Sequence, residues 1–232
     1  LGAEHLSVLE TRGGTPYFFS LHVGDVGHTL VLGATGSGKS FLLNFLVTSA
    51  QKYDPITFIF DLGGSYEHLT QLFGGSYLKI GLENRSTRIN PFCLPPNEEN
   101  LRFLFAFVRV LIEHGGTTLS AAEEKDLYAQ IENLYVVAAE ERRLRTLSNV
   151  LGRRLRVELE KWLEGGPYGG LFDNASDNLT LSEFQAFDFE GLGKAPLVLE
   201  PLLFYIFHRS NAAIYDPGHL ARPKFFVMDE AW

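Results

Sequence analysis

Residues 33–40 constrain this chain more than any other stretch. They read Gly33-Ala34-Thr35-Gly36-Ser37-Gly38-Lys39-Ser40 and meet the pattern G-x-x-x-x-G-K-[ST] at every fixed position. Glycines let a backbone curl with its N–H groups turned inward, and a helix that follows offers its positive end to an anion. The flanks agree with that use. Residues 28–32 (His-Thr-Leu-Val-Leu) form a short apolar run of the kind expected of a buried parallel strand. Residues 39–50 carry Phe41, Leu42, Phe45, Leu46 and Ser49 at helical spacing. A glycine-rich turn that binds nothing is the competing reading, and a strand before and a helix after weigh against it. The motif implies that Gly33, Ala34, Thr35, Gly36, Ser37, Gly38, Lys39 and Ser40 hold the phosphates of ATP. Lys39 is expected to reach the β- and γ-phosphates, and the Ser40 hydroxyl to ligate Mg²⁺.

A second acidic motif closes the chain. Asp229-Glu230 follows the apolar run at residues 225–228 (Phe-Phe-Val-Met). Ligands of open α/β sheets bind at the carboxyl ends of the strands. Asp229 is therefore expected to hold Mg²⁺, and Glu230 to polarise the attacking water as the catalytic base beside Lys39. Asp61 also ends an apolar run (residues 56–60), ahead of Leu62-Gly63-Gly64-Ser65. It stands either beside the γ-phosphate or as a turn and helix cap. His22 and His28 have no carboxylate or second histidine at metal-ligand spacing and read as structural.

Along the chain, strands are expected at residues 15–23, 28–32, 56–60, 76–80, 184–189 and 225–228. Helices are expected at 39–50, 66–73 and 197–213. The middle breaks this alternation with three helices in a row. One spans 97–114, one runs from a Ser120/Glu123 capping box to about Glu140, and one is capped by Ser148 and ends near Gly165. The expected fold is α/β with a mainly parallel sheet and an all-helical insertion. It divides into a first part of the core at 1–96, the insertion at 97–166 and a second part at 167–232, ending at the Asp-Glu strand.

Composition sets the remaining limits. The 232 residues are 45% hydrophobic and 21% charged, which is ordinary for a globular chain. A net charge of −8 gives no whole-chain attraction to nucleic acid. Arg142, Arg143, Arg145, Arg153, Arg154 and Arg156 alternate with acids and read as a solvated helix face. With Cys93 as the single cysteine, no internal disulfide forms. No apolar run is long enough to span a bilayer. The chain starts at Leu1 and stops at Trp232, directly after a strand-like run, and is expected to be part of a longer protein.

Several landmarks together resemble one family. They are Asp25-Val26-Gly27 before the phosphate loop, Asp61-Leu-Gly-Gly-Ser-Tyr66, Ile89-Asn-Pro-Phe92, Gly165-Gly-Pro-Tyr-Gly-Gly-Leu-Phe-Asp-Asn174 and Met228-Asp-Glu-Ala-Trp232. In this order they resemble the channel-base ATPases of bacterial type IV secretion and conjugal transfer. The resemblance implies a RecA-like P-loop NTPase that assembles as a hexamer. It implies work with other secretion components on the cytoplasmic side of the inner membrane. It also implies a further, Gln-bearing strand between the phosphate-loop strand and the Asp-Glu strand, and a transition-state arginine from a neighbouring subunit, for which Arg85, Arg88 and Arg209 are candidates. Direct nucleic-acid binding by this segment is not expected. The rival readings are a DNA-translocating ATPase of the same fold and a structural subunit that binds nucleotide to hold an oligomer together. A small-molecule kinase is disfavoured, because no arginine-rich lid follows the core.

Overall fold

Four of the apolar runs become the strands of one sheet, and the helices of the middle fall in a second compact unit that extends beyond them on both sides. The computed structural model describes residues 4–22, 27–83, 87–193, 195–219 and 221–229. The chain divides into two compact units, one of Leu1–Leu78, Ser182–Asp188 and Ala213–Trp232, the other of Lys79–Leu181 and Phe189–Ala212.

In the first unit, β1 (Ser7–Glu10) and β2 (Pro16–Phe19) pair antiparallel as a separate two-stranded sheet. The helix α1 (Lys39–Ala50) follows the glycine loop. Next come β3 (Ile56–Asp61), the short helix α2 (Glu67–Leu72), β4 (Ser76–Lys79), β5 (Phe184–Asp188) and β6 (Lys224–Met228). The main sheet runs β4-β5-β3-β6, and β3 pairs in parallel with both β5 and β6. All six residues of β3 are buried, as a central strand of a parallel sheet requires. Val47 of α1 packs on Ile59, Tyr66, Phe184, Ala186 and Val227 over one face. Leu46 and Ala50 meet Leu6, with Phe19 and Phe225 against them, which seats the β1–β2 hairpin on the same helix. The buried side of α1 is thus Leu46, Val47 and Ala50, whereas Phe41, the first apolar residue of its sequence pattern, is 81% exposed.

Two expectations for this unit are corrected. Among the described residues of the run at 15–23, which leave out Val23, the strand is the shorter Pro16–Phe19, and it pairs with β1. The run at 28–32 is not a strand: Leu30 and Leu32 are 80% and 82% exposed. A strand exists by virtue of a hydrogen-bonded neighbour. Here the nearest candidate is β6, at the sheet edge, and a cleft of about 950 Å³ has residues 27–33 on one wall and β6 on another. The apolar pattern is present, and among the described residues the neighbour is not.

The second unit is helical: α3 (Glu98–Glu113), α4 (Ala121–Leu134), α5 (Leu144–Val150), α6 (Arg153–Leu159), α7 (Gly169–Phe172) and most of α8 (Pro196–Ile214). The Asn97 side chain accepts the Asn100 N–H at the start of α3. The capping box of α4 forms in full, with Ser120 and Glu123 bonded reciprocally. Trp162 is fully buried and its indole N–H donates to the Leu111 carbonyl at 3.0 Å. Three details differ from expectation. α4 stops at Leu134, where the Tyr135 hydroxyl is tied to the Leu94 carbonyl and the β-branched Val136 and Val137 follow. Ser148 is no cap but a buried residue inside α5, because Leu144 and Leu147 start the helix earlier. The third helix is divided into α5 and α6 at Gly152, the N-cap of α6.

Two landmarks hold this unit together. Asn90 is fully buried: its side chain accepts the Phe92 N–H and donates to the Arg142 carbonyl, while its own N–H donates to Asp177. The glycines of 165–170 permit close approach, since a Cβ at Gly169 would run into the Leu163 carbonyl. Asp173, at the end of that stretch, accepts N–H groups from Glu164 and Arg145.

The capping box yields a prediction. Hydrogen bonds from Ser120, then the Arg154 guanidinium, hold the Glu123 carboxyl down at about 2, against an ordinary value of 4.5. A depressed carboxylate lends stability that is complete above pH 4.5 and is lost as pH falls toward 2. The wild type should therefore melt above Glu123→Gln at neutral pH, and the gap should close between pH 4.5 and 2. Thermal melts across that range check this, and a gap that does not change with pH contradicts it.

Candidate functional site

The glycine loop is shaped for an anion. Gly36 and Gly38 have φ of 78° and 91°, in the left-handed region that side-chain-bearing residues avoid. Gly38 is the N-cap of α1 and offers no side chain, so the first N–H groups of a 12-residue helix meet no side-chain cap. No acidic residue stands in that first turn to compete for the helix's positive end. Lys39 folds back over the loop and donates to the Ala34 carbonyl at 3.2 Å, while the Ser37 N–H closes on the same oxygen at 3.1 Å. Ser40 follows in the first turn of α1, and its carbonyl accepts from the Asn44 side chain at 2.8 Å. Such a loop, with one ammonium and uncapped N–H groups, fits a chain of phosphates.

Gly33, Thr35 and Lys39 line one cleft together with Asp229. Asp229 is 4% exposed, and its N–H continues the ladder to the Phe60 carbonyl at 3.0 Å. One oxygen of its carboxylate accepts from the Tyr66 hydroxyl at 3.0 Å. Among the described residues no cluster of three or more metal-ligating side chains exists. Glu230 lies outside the described residues, as do Arg85, Asp25, Val26 and Trp232. His22 and His28 are both exposed. Arg88 is exposed, and Arg209 is committed to Asp177, the Tyr205 hydroxyl and the Leu179 carbonyl.

Asp61 caps the turn that follows β3. One oxygen accepts from Leu62 and Gly63 at 2.9 and 3.3 Å, the other from Ser65 at 2.6 Å. Burial pushes its carboxyl above the usual carboxylate range in spite of those three donors, and nearby Asp188 adds to the effect. The register puts Asp61 opposite Asp188, and Phe60 opposite Met228, so Asp188, Asp61 and Asp229 stand in a row at the ends of β5, β3 and β6. The Tyr77 hydroxyl donates to Asp188 at 2.9 Å, much as Tyr66 serves Asp229. Sequence reading did not single out Asp188, Tyr77, Tyr66 or Asn44. Asp188 carried the same signal as the other two, an acid closing an apolar strand. The tyrosines gave none, because their partners lie more than 100 residues away.

The Asp61 geometry makes a prediction. Asp61→Ala leaves three turn N–H groups without their acceptor and should cost about 2 kcal/mol of unfolding free energy. Urea denaturation of wild type and variant measures this, and equal midpoints and slopes contradict it.

Comparison with known proteins agrees with this geometry. The chain is 32% identical to the type IV secretion system protein virB4 of Bartonella quintana (strain Toulouse) over 235 residues, which is 98% of this chain and 29% of that protein. It is also 32% identical to the conjugal transfer protein TrbE of Rhizobium radiobacter, over 95% of this chain and 27% of that one. This chain thus spans less than a third of the length of these relatives. The solved structure of VirB4 of Thermoanaerobacter pseudethanolicus superposes with a TM-score of 0.73 at 19% identity, covering 100% of this chain and 68% of that one. The fold is therefore that of VirB4, a RecA-like α/β P-loop fold. The model of the TraG P-loop domain family matches residues 25–166, from ahead of the glycine loop through the helical middle, and the chain belongs to that family.

Proposed function

We propose that this chain is the ATP-binding and ATP-hydrolysing motor domain of a protein that energises a type IV secretion or conjugal transfer apparatus. The observation that carries the reading is the cleft that Gly33, Thr35 and Lys39 share with Asp229. The uncapped start of α1 and the glycine loop take the phosphates, and Lys39 leaves the Ala34 carbonyl for the β- and γ-phosphates. Ser40 and Asp229 hold Mg²⁺, which when bound neutralises charge on the phosphates. Glu230, one residue after Asp229, takes the proton of the attacking water. The cleft between residues 27–33 and β6 is the place we assign to the further strand of the family pattern.

In the assembled protein, copies pack around six-fold symmetry beside other secretion components, on the cytoplasmic face of the inner membrane. Among the described residues no helix is long and apolar enough to cross a membrane. Arg209, already engaged within its own unit, is the weakest candidate for the arginine given to a neighbouring subunit. A DNA pump is the second reading. Of the six clustered arginines, Arg142, Arg145, Arg154 and Arg156 are bonded to carbonyls or carboxylates of this chain, which weighs against it.

In the full-length protein, Glu230→Gln should still bind ATP–Mg²⁺ but turn over at least ~100-fold more slowly, the scale of a lost positioned base. DNA should leave the wild-type rate unchanged. A strong rise with DNA transfers the assignment to the DNA pump. Equal, slow rates in wild type and variant, with binding retained, transfer it to a nucleotide-binding structural subunit.

A further inference from the structure

The turn after β3 connects the two halves of the nucleotide site. On one side, the Asn44 side chain donates both to the Ser40 carbonyl at 2.8 Å and to the Ser65 carbonyl at 3.4 Å. It thereby links the first turn of α1 to the Asp61 turn. On the other side, Tyr66 closes that turn and sends its hydroxyl to Asp229. Tyr66 has no exposed surface, and its ring packs with Val47, Ile59, Phe184, Ala186 and Val227. Its carbonyl accepts the Thr70 N–H at 2.9 Å and the Thr70 hydroxyl at 2.7 Å, so backbone and ring are both fixed. A phenol held this firmly leaves its hydroxyl little freedom, and the carboxylate that accepts from it is fixed in turn.

We propose that Tyr66 is a positioning residue for Asp229, orienting its carboxylate toward the Mg²⁺ of a nucleotide on the glycine loop. The proposal rests on the assignment of Asp229 to the metal given above. Through Ser65 and Asn44, Tyr66 also ties that carboxylate to the helix turn that bears Ser40, so the two metal-holding groups are set by one turn of chain. Asp61 supports the arrangement from within by holding the turn's N–H groups.

The test uses the full-length protein and a fluorescent ATP analogue, titrated with Mg²⁺ and separately in EDTA, with melting temperatures taken without nucleotide. Tyr66→Phe removes only the hydroxyl. It should bind the analogue in EDTA as the wild type does, yet need about 10-fold more Mg²⁺ for half-maximal enhancement, the low end for removing a partner of a metal ligand. Asp229→Asn should shift the Mg²⁺ requirement at least as far, and the double variant no further than Asp229→Asn alone. Asn44→Ala, which leaves ring and carboxylate in place, should give a smaller shift in the same direction. If Asp229→Asn shifts the Mg²⁺ requirement while Tyr66→Phe and Asn44→Ala do not, the positioning role is overturned and the metal assignment stands. If Tyr66→Phe weakens binding equally in EDTA and Mg²⁺, its role is structural only and the proposal is overturned. If Asp229→Asn shifts nothing, the metal assignment fails and the proposal with it.

Discussion

β3 is buried along its whole length and hydrogen-bonded on both sides, to β5 and to β6. A strand so placed has little freedom in register, because a slip of one residue would turn each side chain to the opposite face. That register puts Asp188, Asp61 and Asp229 side by side at the carboxyl edge of the sheet. Three carboxylates removed from water are costly unless each is given hydrogen bonds. Asp61 takes its donors from its own turn, Asp188 from Tyr77 and Asp229 from Tyr66. Of the three, Asp229 is the one that lines the cleft of the glycine loop.

The other half of the site is built by leaving things out. Gly38 gives α1 no capping side chain, the first turn has no acid, and Gly36 and Gly38 adopt backbone angles that a Cβ would strain. Elsewhere the chain caps its helices well, with Asn97 on α3 and Ser120–Glu123 on α4. The unfilled N–H groups of α1 are those that a phosphate satisfies. Lys39, resting on the Ala34 carbonyl, completes the positive side of the cleft.

Much of this was legible in the sequence. The glycine loop, α1 to the residue, β3 ending at Asp61, the capping box of α4 and the strand before Asp229 follow from local patterns of apolar spacing, glycines and capping residues. What failed depended on partners elsewhere in the chain. Residues 28–32 have the composition of a buried strand, but pairing is a property of two segments, and β6 faces them across a cleft. Ser148 looks like a cap, yet Leu144 and Leu147 place it inside a helix that has already begun. Tyr66 appeared as one letter of a landmark, and its role became visible only when the fold brought Asp229, 163 residues away, to its hydroxyl.

The central claim is that residues 33–40 bind the phosphates of a nucleotide. Isothermal titration of ATP–Mg²⁺ into the full-length protein, wild type against Lys39→Ala, tests it most directly. The Lys39 ammonium donates to the Ala34 carbonyl in an exposed hydrogen bond, so truncating the side chain should leave the melting temperature nearly unchanged. Affinity should fall about 30- to 100-fold, the equivalent of roughly 2–3 kcal/mol for a charged hydrogen-bond donor. Equal affinity in the two proteins would contradict the account, and the glycine turn would then bind nothing.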